Sequence, residues 1–224
     1  SYLKIEKGLS ENSILAYLND VKKLEDFSSS LSLDPKTITY QHLQQFVAEL
    51  YDLGLSARSQ SRIISGIKQF FHFLTIEDEI ELDPTTLLET PKIGRKLPEV
   101  LTVEEIDALI DAIDLSKPEG HRNKAILETL YSCGLRVSEL VNLQFEQLFF
   151  SEGFIRVTGK GNKQRLVPVS PSVEKEIGIY TKSIRNHMKI QKGHESFVFL
   201  NRRGAQLTRV MIFTIIKNLA LEIG

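Results

Sequence analysis

Two short stretches hold the residue types needed to handle a phosphate. The first is Gly134-Leu135-Arg136-Val137-Ser138-Glu139-Leu140. It sets an arginine just past a glycine that can end a helix, among apolar neighbours. Guanidinium is planar, permanently charged and able to donate two parallel hydrogen bonds, so it suits a phosphodiester. A salt bridge to Glu139, three residues on, is an equally ordinary use of the same arginine. The second stretch is Gly159-Lys160-Gly161-Asn162-Lys163-Gln164-Arg165. Small residues around Lys160 let a backbone and an ammonium approach a phosphodiester closely. A solvated, lysine-rich hairpin tip is the alternative, and by local rules alone the commoner one. Cys133, the only cysteine, lies in the apolar run ILETLYSCGL and reads as a packed core thiol. One thiol excludes a disulfide framework and a zinc cluster, which makes a reducing compartment the default.

The elements that must position these residues follow from periodicity. Over residues 1–90 the apolar spacing is helical, with no convincing strand. Ser10 caps a helix with apolar positions Ile14, Tyr17, Leu18, Val21 and Leu24. Thr39 caps a second, through Leu43, Phe46, Val47 and Leu50, which Gly54 ends. Ser56 caps a third, whose core face is Ile63, Ile64, Ile67, Phe70, Phe71 and Leu74; Arg58, Arg62 and Lys68 lie outside that face. A short fourth helix is expected after Asp83-Pro84. Residues 90–99 have linker composition. A second domain opens on the capping box Thr102-Val103-Glu104-Glu105, with two or three helices to about Asn142. Strands at 153–158 and 165–169 form a hairpin around Lys160. A helix from Ser170, a short strand at 197–200 and a helix from Thr208 complete the pattern. Tyr17, Tyr131 and Tyr180 fall at apolar helical positions and read as core.

With 42% hydrophobic and 25% charged residues, the 224-residue chain has a globular composition. No apolar run has the length of a membrane span, and no signal-peptide core is present. The net charge of −1 argues against a uniformly basic nucleic-acid binder. The distribution is uneven, however. Residues 98–155 carry 4 Lys+Arg against 11 Asp+Glu, and residues 156–217 carry 13 against 3. That break suggests one basic face for a polyanion; a solvated surface of uneven sign is the alternative.

Several segments in order resemble the tyrosine recombinase family, in particular its bacterial Xer members. They are LSARSQSRIISGIKQFFHFL, DPTTLLETPKIGRKLPEVLT, HRNKAILETLYSCGLRVSEL, VTGKGNKQRLVPV and FLNRRGAQLTR. The wording around 56–100 is closer to the XerD branch than to the XerC branch. The resemblance implies a mainly α fold with a small β-sheet. It has an N-terminal helical, SAM-like core-binding bundle at 1–90, a linker at 91–99 and an α+β catalytic domain from 100 to 224. It identifies Arg136 with the family's first catalytic arginine and Lys160, 24 positions on, with its hairpin lysine. Glu139 matches the acidic residue that supports the arginine.

The family's reaction is attack of a tyrosine on a DNA phosphate, giving a 3′-phosphotyrosyl link that a partner strand's 5′-hydroxyl reverses through a Holliday junction. Neither metal nor ATP nor another cofactor is implied. Arg136 would clamp the phosphate and Lys160 would protonate the leaving 5′-oxygen. Arg58, Arg62, Lys163, Arg165, Arg202, Arg203 and Arg209 are the candidate DNA contacts, mostly to phosphates. The implied partners are a double-stranded recombination site, a second Xer recombinase in a tetramer on DNA, and a cell-division DNA translocase. No membrane and no small-molecule ligand is implied. The expected setting is the cytoplasm, at the nucleoid, in chromosome dimer resolution. The family's H-x-L-R-H box and tyrosine nucleophile have no counterpart in the 224 residues. The expectation is therefore a catalytic domain cut short: a monomer that binds DNA and does not cleave it. A DNA-binding protein without catalysis, and a phage or transposon integrase of the same superfamily, are the competing readings.

Overall fold

The computed structural model describes residues 2–94, 97 and 99–224, with the backbone alone at Lys160. Two cations of the basic linker, Arg95 and Lys96, lie outside the described residues. The chain divides into two compact units, Ser1–Pro98 and Glu99–Gly224.

The first unit contains α1 (Tyr2–Ile5), α2 (Glu11–Ser30), α3 (Tyr40–Asp52) and α4 (Ala57–Ile76). Ser10, Thr39 and Ser56 cap α2, α3 and α4, each side chain accepting from the amide three residues on. Leu24, Phe27, Leu43, Phe46, Leu50, Ile63, Ile64, Ile67 and Phe71 are buried between them. The first half of α2 departs from its expected core role. Ile14, Tyr17 and Val21 are only half-buried and Leu18 is exposed. They line an apolar groove with Leu3, Phe70 and Phe73. The helix expected after Asp83-Pro84 is a single turn. Asp83 caps that turn, its carboxylate accepting from the amide and the hydroxyl of Thr85 at 2.8 and 2.6 Å. Pro91 then blocks any continuation.

In the second unit the Thr102–Glu105 capping box starts α5 (Val103–Asp111). After it come α6 (Pro118–Cys133) and α7 (Val137–Val141). The three-stranded antiparallel sheet has the order β1 (Leu148–Phe149), β2 (Phe154–Thr158), β3 (Gln164–Pro168). In β2 and β3, Ile155, Val157 and Val167 face the core, in the alternation of a half-buried hairpin. Then follow α8 (Pro171–Ser183), capped by Ser170, and α9 (Arg209–Ile223), capped by Thr208. Cys133 is buried, and burial pushes its thiol pKa up.

The strand expected at 197–200 is an extended segment, buried at Val198, Phe199 and Leu200, with only isolated bridges among the described residues. Its backbone groups are satisfied elsewhere. Phe197 O accepts from the Arg185 guanidinium, and Val198 N donates to Leu143 O. Leu200 N donates to the Tyr180 hydroxyl and Leu200 O accepts from Arg122. With those groups spent, no ladder remains for a partner strand. Tyr180 is core as expected; Tyr131 is not, being 47% exposed on α6.

Candidate active site and nucleic-acid interface

Local rules place Arg136. Gly134 closes α6 in the left-handed region, φ 56°, where a side chain is costly. Leu135 is buried. Arg136 then takes extended backbone angles as the residue before α7. Its side chain is 70% exposed. Glu139, in the first turn of α7, folds back beneath it. The carboxylate accepts from the Arg136 amide at 2.8 Å and from its guanidinium at 3.0 Å.

Glu139 is also the anchor of the hairpin. Its side chain is 2% exposed, and the Arg165 fork donates to both carboxylate oxygens, at 2.6 and 2.9 Å. The Arg165 bonds hold the Glu139 pKa down to about 2, against burial, with the Arg136 amide and guanidinium assisting. The same pair raises the Arg165 pKa. Gly159 closes the cluster from the hairpin side. A methyl group there would stand 3.2 Å from Glu139 Oε1 and 3.6 Å from an Arg165 nitrogen. The loop is tied at its root by Gly159 N donating to Lys163 O at 2.8 Å. It turns through left-handed Gly161 and Asn162. Lys160 follows Gly159, so its Cα lies about 3.8 Å from that of Gly159. Its side chain lies outside the described residues.

The candidate DNA contacts divide into two kinds. Arg58 in the first turn of α4, Lys163 on the hairpin, Arg202 and Arg203 in the turn before α9, and Arg209 at its start are all exposed. Arg209 lines a groove with Val137, the neighbour of Arg136. The other two are engaged with carboxylates. Arg165 holds Glu139, and Arg62 donates to the fully buried Asp20 at 2.6 Å. Sequence reasoning missed both partnerships and the part of Gly159. For Arg165 a signal existed: it lies two residues from buried Val167, on the same face of β3.

Residues 99–224 match the phage integrase family, and residues 1–78 match the N-terminal SAM-like domain of phage integrases. The chain belongs to the phage integrase family. The expected likeness to Xer-type tyrosine recombinases is borne out as well. The chain is 39% identical over 223 residues to tyrosine recombinase XerD of Staphylococcus epidermidis, covering 99% of this chain and 75% of that protein. Two solved structures share the fold. XerH recombinase, bound to palindromic difH in a post-cleavage complex, superposes with a TM-score of 0.76 at 21% identity; the match covers 98% of this chain and 68% of XerH. Lambda integrase, as a tetramer on a Holliday junction, superposes with 0.73 at 16% identity, over 100% of this chain and 64% of the integrase. The expected architecture, a SAM-like helical domain and an integrase catalytic domain with a small sheet, is the one observed.

Proposed function

We propose that this chain carries the DNA-binding and charge-stabilising parts of a site-specific tyrosine recombinase. The first unit is its core-binding domain and the second its catalytic domain. The observation that carries this reading is the cluster at the hairpin root. An exposed arginine and a lysine-bearing loop converge on one buried carboxylate, within a chain 39% identical to a tyrosine recombinase.

In this reading Arg136 donates to the non-bridging oxygens of the scissile phosphate, and Glu139 holds its backbone turn beneath the DNA. Positioned cations are the main demand of phosphoryl transfer, because negative charge builds on those oxygens. Lys160 supplies the proton to the leaving 5′-oxygen. A lysine desolvated among other cations gives up its proton more readily, which suits that role. Exposed Arg58, Lys163, Arg202, Arg203 and Arg209 contact backbone phosphates and set the register on duplex DNA. The reaction needs a nucleophilic tyrosine, and the resemblance matches none of the six tyrosines of the 224 residues to that role. The last tyrosine within them, Tyr180, is fully buried with its hydroxyl engaged by Leu200 N. Strand exchange through a Holliday junction, in a tetramer with a second recombinase, would serve chromosome dimer resolution.

The test is a nicked suicide substrate carrying the recombination site, resolved on a denaturing gel. It is incubated with the 224-residue chain and, separately, with the uncut gene product and its partner recombinase. A covalent adduct is expected from the uncut product and none from the 224 residues. An adduct from the 224 residues would place the nucleophile among the tyrosines present, with exposed Tyr131 first to be replaced by phenylalanine. No adduct from either would favour a DNA-binding protein without catalysis.

A further inference from the structure

We infer that Arg165 is a positioning residue: its fork grips the buried Glu139 carboxylate and locks the hairpin root, with the Lys160 backbone, against the turn that presents Arg136. The inference rests on the reading of Arg136 and Lys160 as the cations of one phosphate site, and it removes Arg165 from the DNA-contacting set.

The geometry favours a latch over a phosphate contact. Arg165 spends two of its nitrogens on Glu139, one to each carboxylate oxygen. Bidentate pairing fixes orientation as well as distance, so the pair defines the angle between hairpin and α7. Val157 on β2 is the register partner of Arg165, so the latch sits two residues before Gly159. Among the described residues, the loop beyond is tied by the Gly159 N to Lys163 O bond and turns through two left-handed residues, which do not by themselves aim it at α7. Gly159 completes the seat. Its missing side chain lets the backbone rest against Glu139 Oε1. The Glu139 carboxylate therefore takes bonds from the elements bearing both cations. Lysine could not replace Arg165, since an ammonium is a point charge with no fork.

The test uses the 224-residue chain with Arg165→Gln and Arg165→Lys. NMR follows the Glu139 carboxyl through a pH titration and the amide exchange of residues 159–163. Duplex binding is measured as a function of salt. A latch predicts a Glu139 midpoint that climbs from about 2 toward the ordinary 4.5 in Arg165→Gln. Exchange at 159–163 should accelerate by about tenfold, as local opening becomes easier. Arg165→Lys should restore the midpoint in part and the exchange protection little. The log–log salt slope should not change. A slope reduced by about 0.9, with midpoint and exchange unaltered, would make Arg165 a phosphate contact and overturn the inference. An unmoved midpoint would overturn it too. If the wild-type chain failed to bind duplex DNA at low salt, the functional reading would fail, while the carboxyl and exchange measurements would still decide on the latch.

Discussion

Replacing Glu139 by glutamine keeps the shape of the side chain and removes its charge, so its effect is a direct measure of the cluster. Lowering a carboxyl from 4.5 to about 2 corresponds to about 3 kcal/mol of preferential stabilisation of the ionised form in the folded chain. Part of that is screened, because the Arg136 and Arg165 side chains are 70% and 40% exposed. About 2 kcal/mol is the expected difference between wild type and Glu139→Gln at pH 7. The sign follows from a folded pKa below the unfolded one. The stabilisation is complete above the unfolded value of about 4.5 and is lost as pH falls toward 2. The gap between the two chains should hold from pH 7 to 5 and shrink by pH 3. Asp114 is held to about 2 as well, by Ser116 first and then Lys117, but it is common to both chains and cancels. Urea unfolding at a series of pH values measures the gap. An NMR ring resonance of Tyr180, stacked on Phe199 in this unit's core, follows its transition apart from that of the first unit. A gap that stays constant from pH 7 to 3 would refute the claim that carboxylate charge is what the arginines stabilise.

Other outcomes follow from close approaches. Gly204→Ala should destabilise the second unit by about 1–3 kcal/mol in urea melts, because φ is 74° and the methyl would collide with Lys189 O. Gly66→Ala should destabilise the first unit by a similar ~1–3 kcal/mol, since its methyl would lie 2.7 Å from Asp20 Oδ2, an oxygen already held by Arg62. Arg136→Lys should weaken duplex binding and lose bidentate phosphate contact while leaving the urea midpoint nearly unchanged, because the guanidinium is mostly solvated.

Much of the fold was legible because caps and periodicity agree locally. Ser10, Thr39, Ser56, Thr102, Ser170 and Thr208 each cap the helix expected from them. The failure at 197–200 comes from side chains that satisfy backbone groups at long range. The segment 197–200 has strand composition, yet Arg185, Tyr180 and Arg122, distant in sequence, take its hydrogen bonds. The expected fourth helix is cut to one turn by a local limit, Pro91. In the candidate site, the Arg136–Glu139 bridge was foreseeable from a three-residue spacing. The Arg165–Glu139 bridge spans 26 residues and depends on hairpin register, which turn chemistry at Gly161-Asn162 sets only once the strands have paired.

The same long-range bonds alter what the uneven charge means. Counted along the chain, residues 156–217 offer thirteen cations to a polyanion. Three of the arginines among them are spent within the fold. Arg185 is buried, donating to Glu195 O and Phe197 O. Arg165 neutralises Glu139. Arg156 lies over the Phe149 ring with a buried Nε. In the first unit Arg62 is matched by Asp20 in the same way. A cation already paired to a carboxylate releases few counterions when DNA arrives, because its charge was never neutralised by them. The salt dependence of duplex binding should therefore follow the exposed set, Arg58, Lys163, Arg202, Arg203 and Arg209. Removing any one exposed member should lower the log–log slope by about 0.9, whereas Arg62→Gln should leave the slope nearly unchanged and lower the stability of the first unit. A slope that fell equally for Arg62 and Arg58 would mean that the Asp20 pair opens on DNA. Sequence charge would then be the better guide to the interface than the pairs seen in the folded chain.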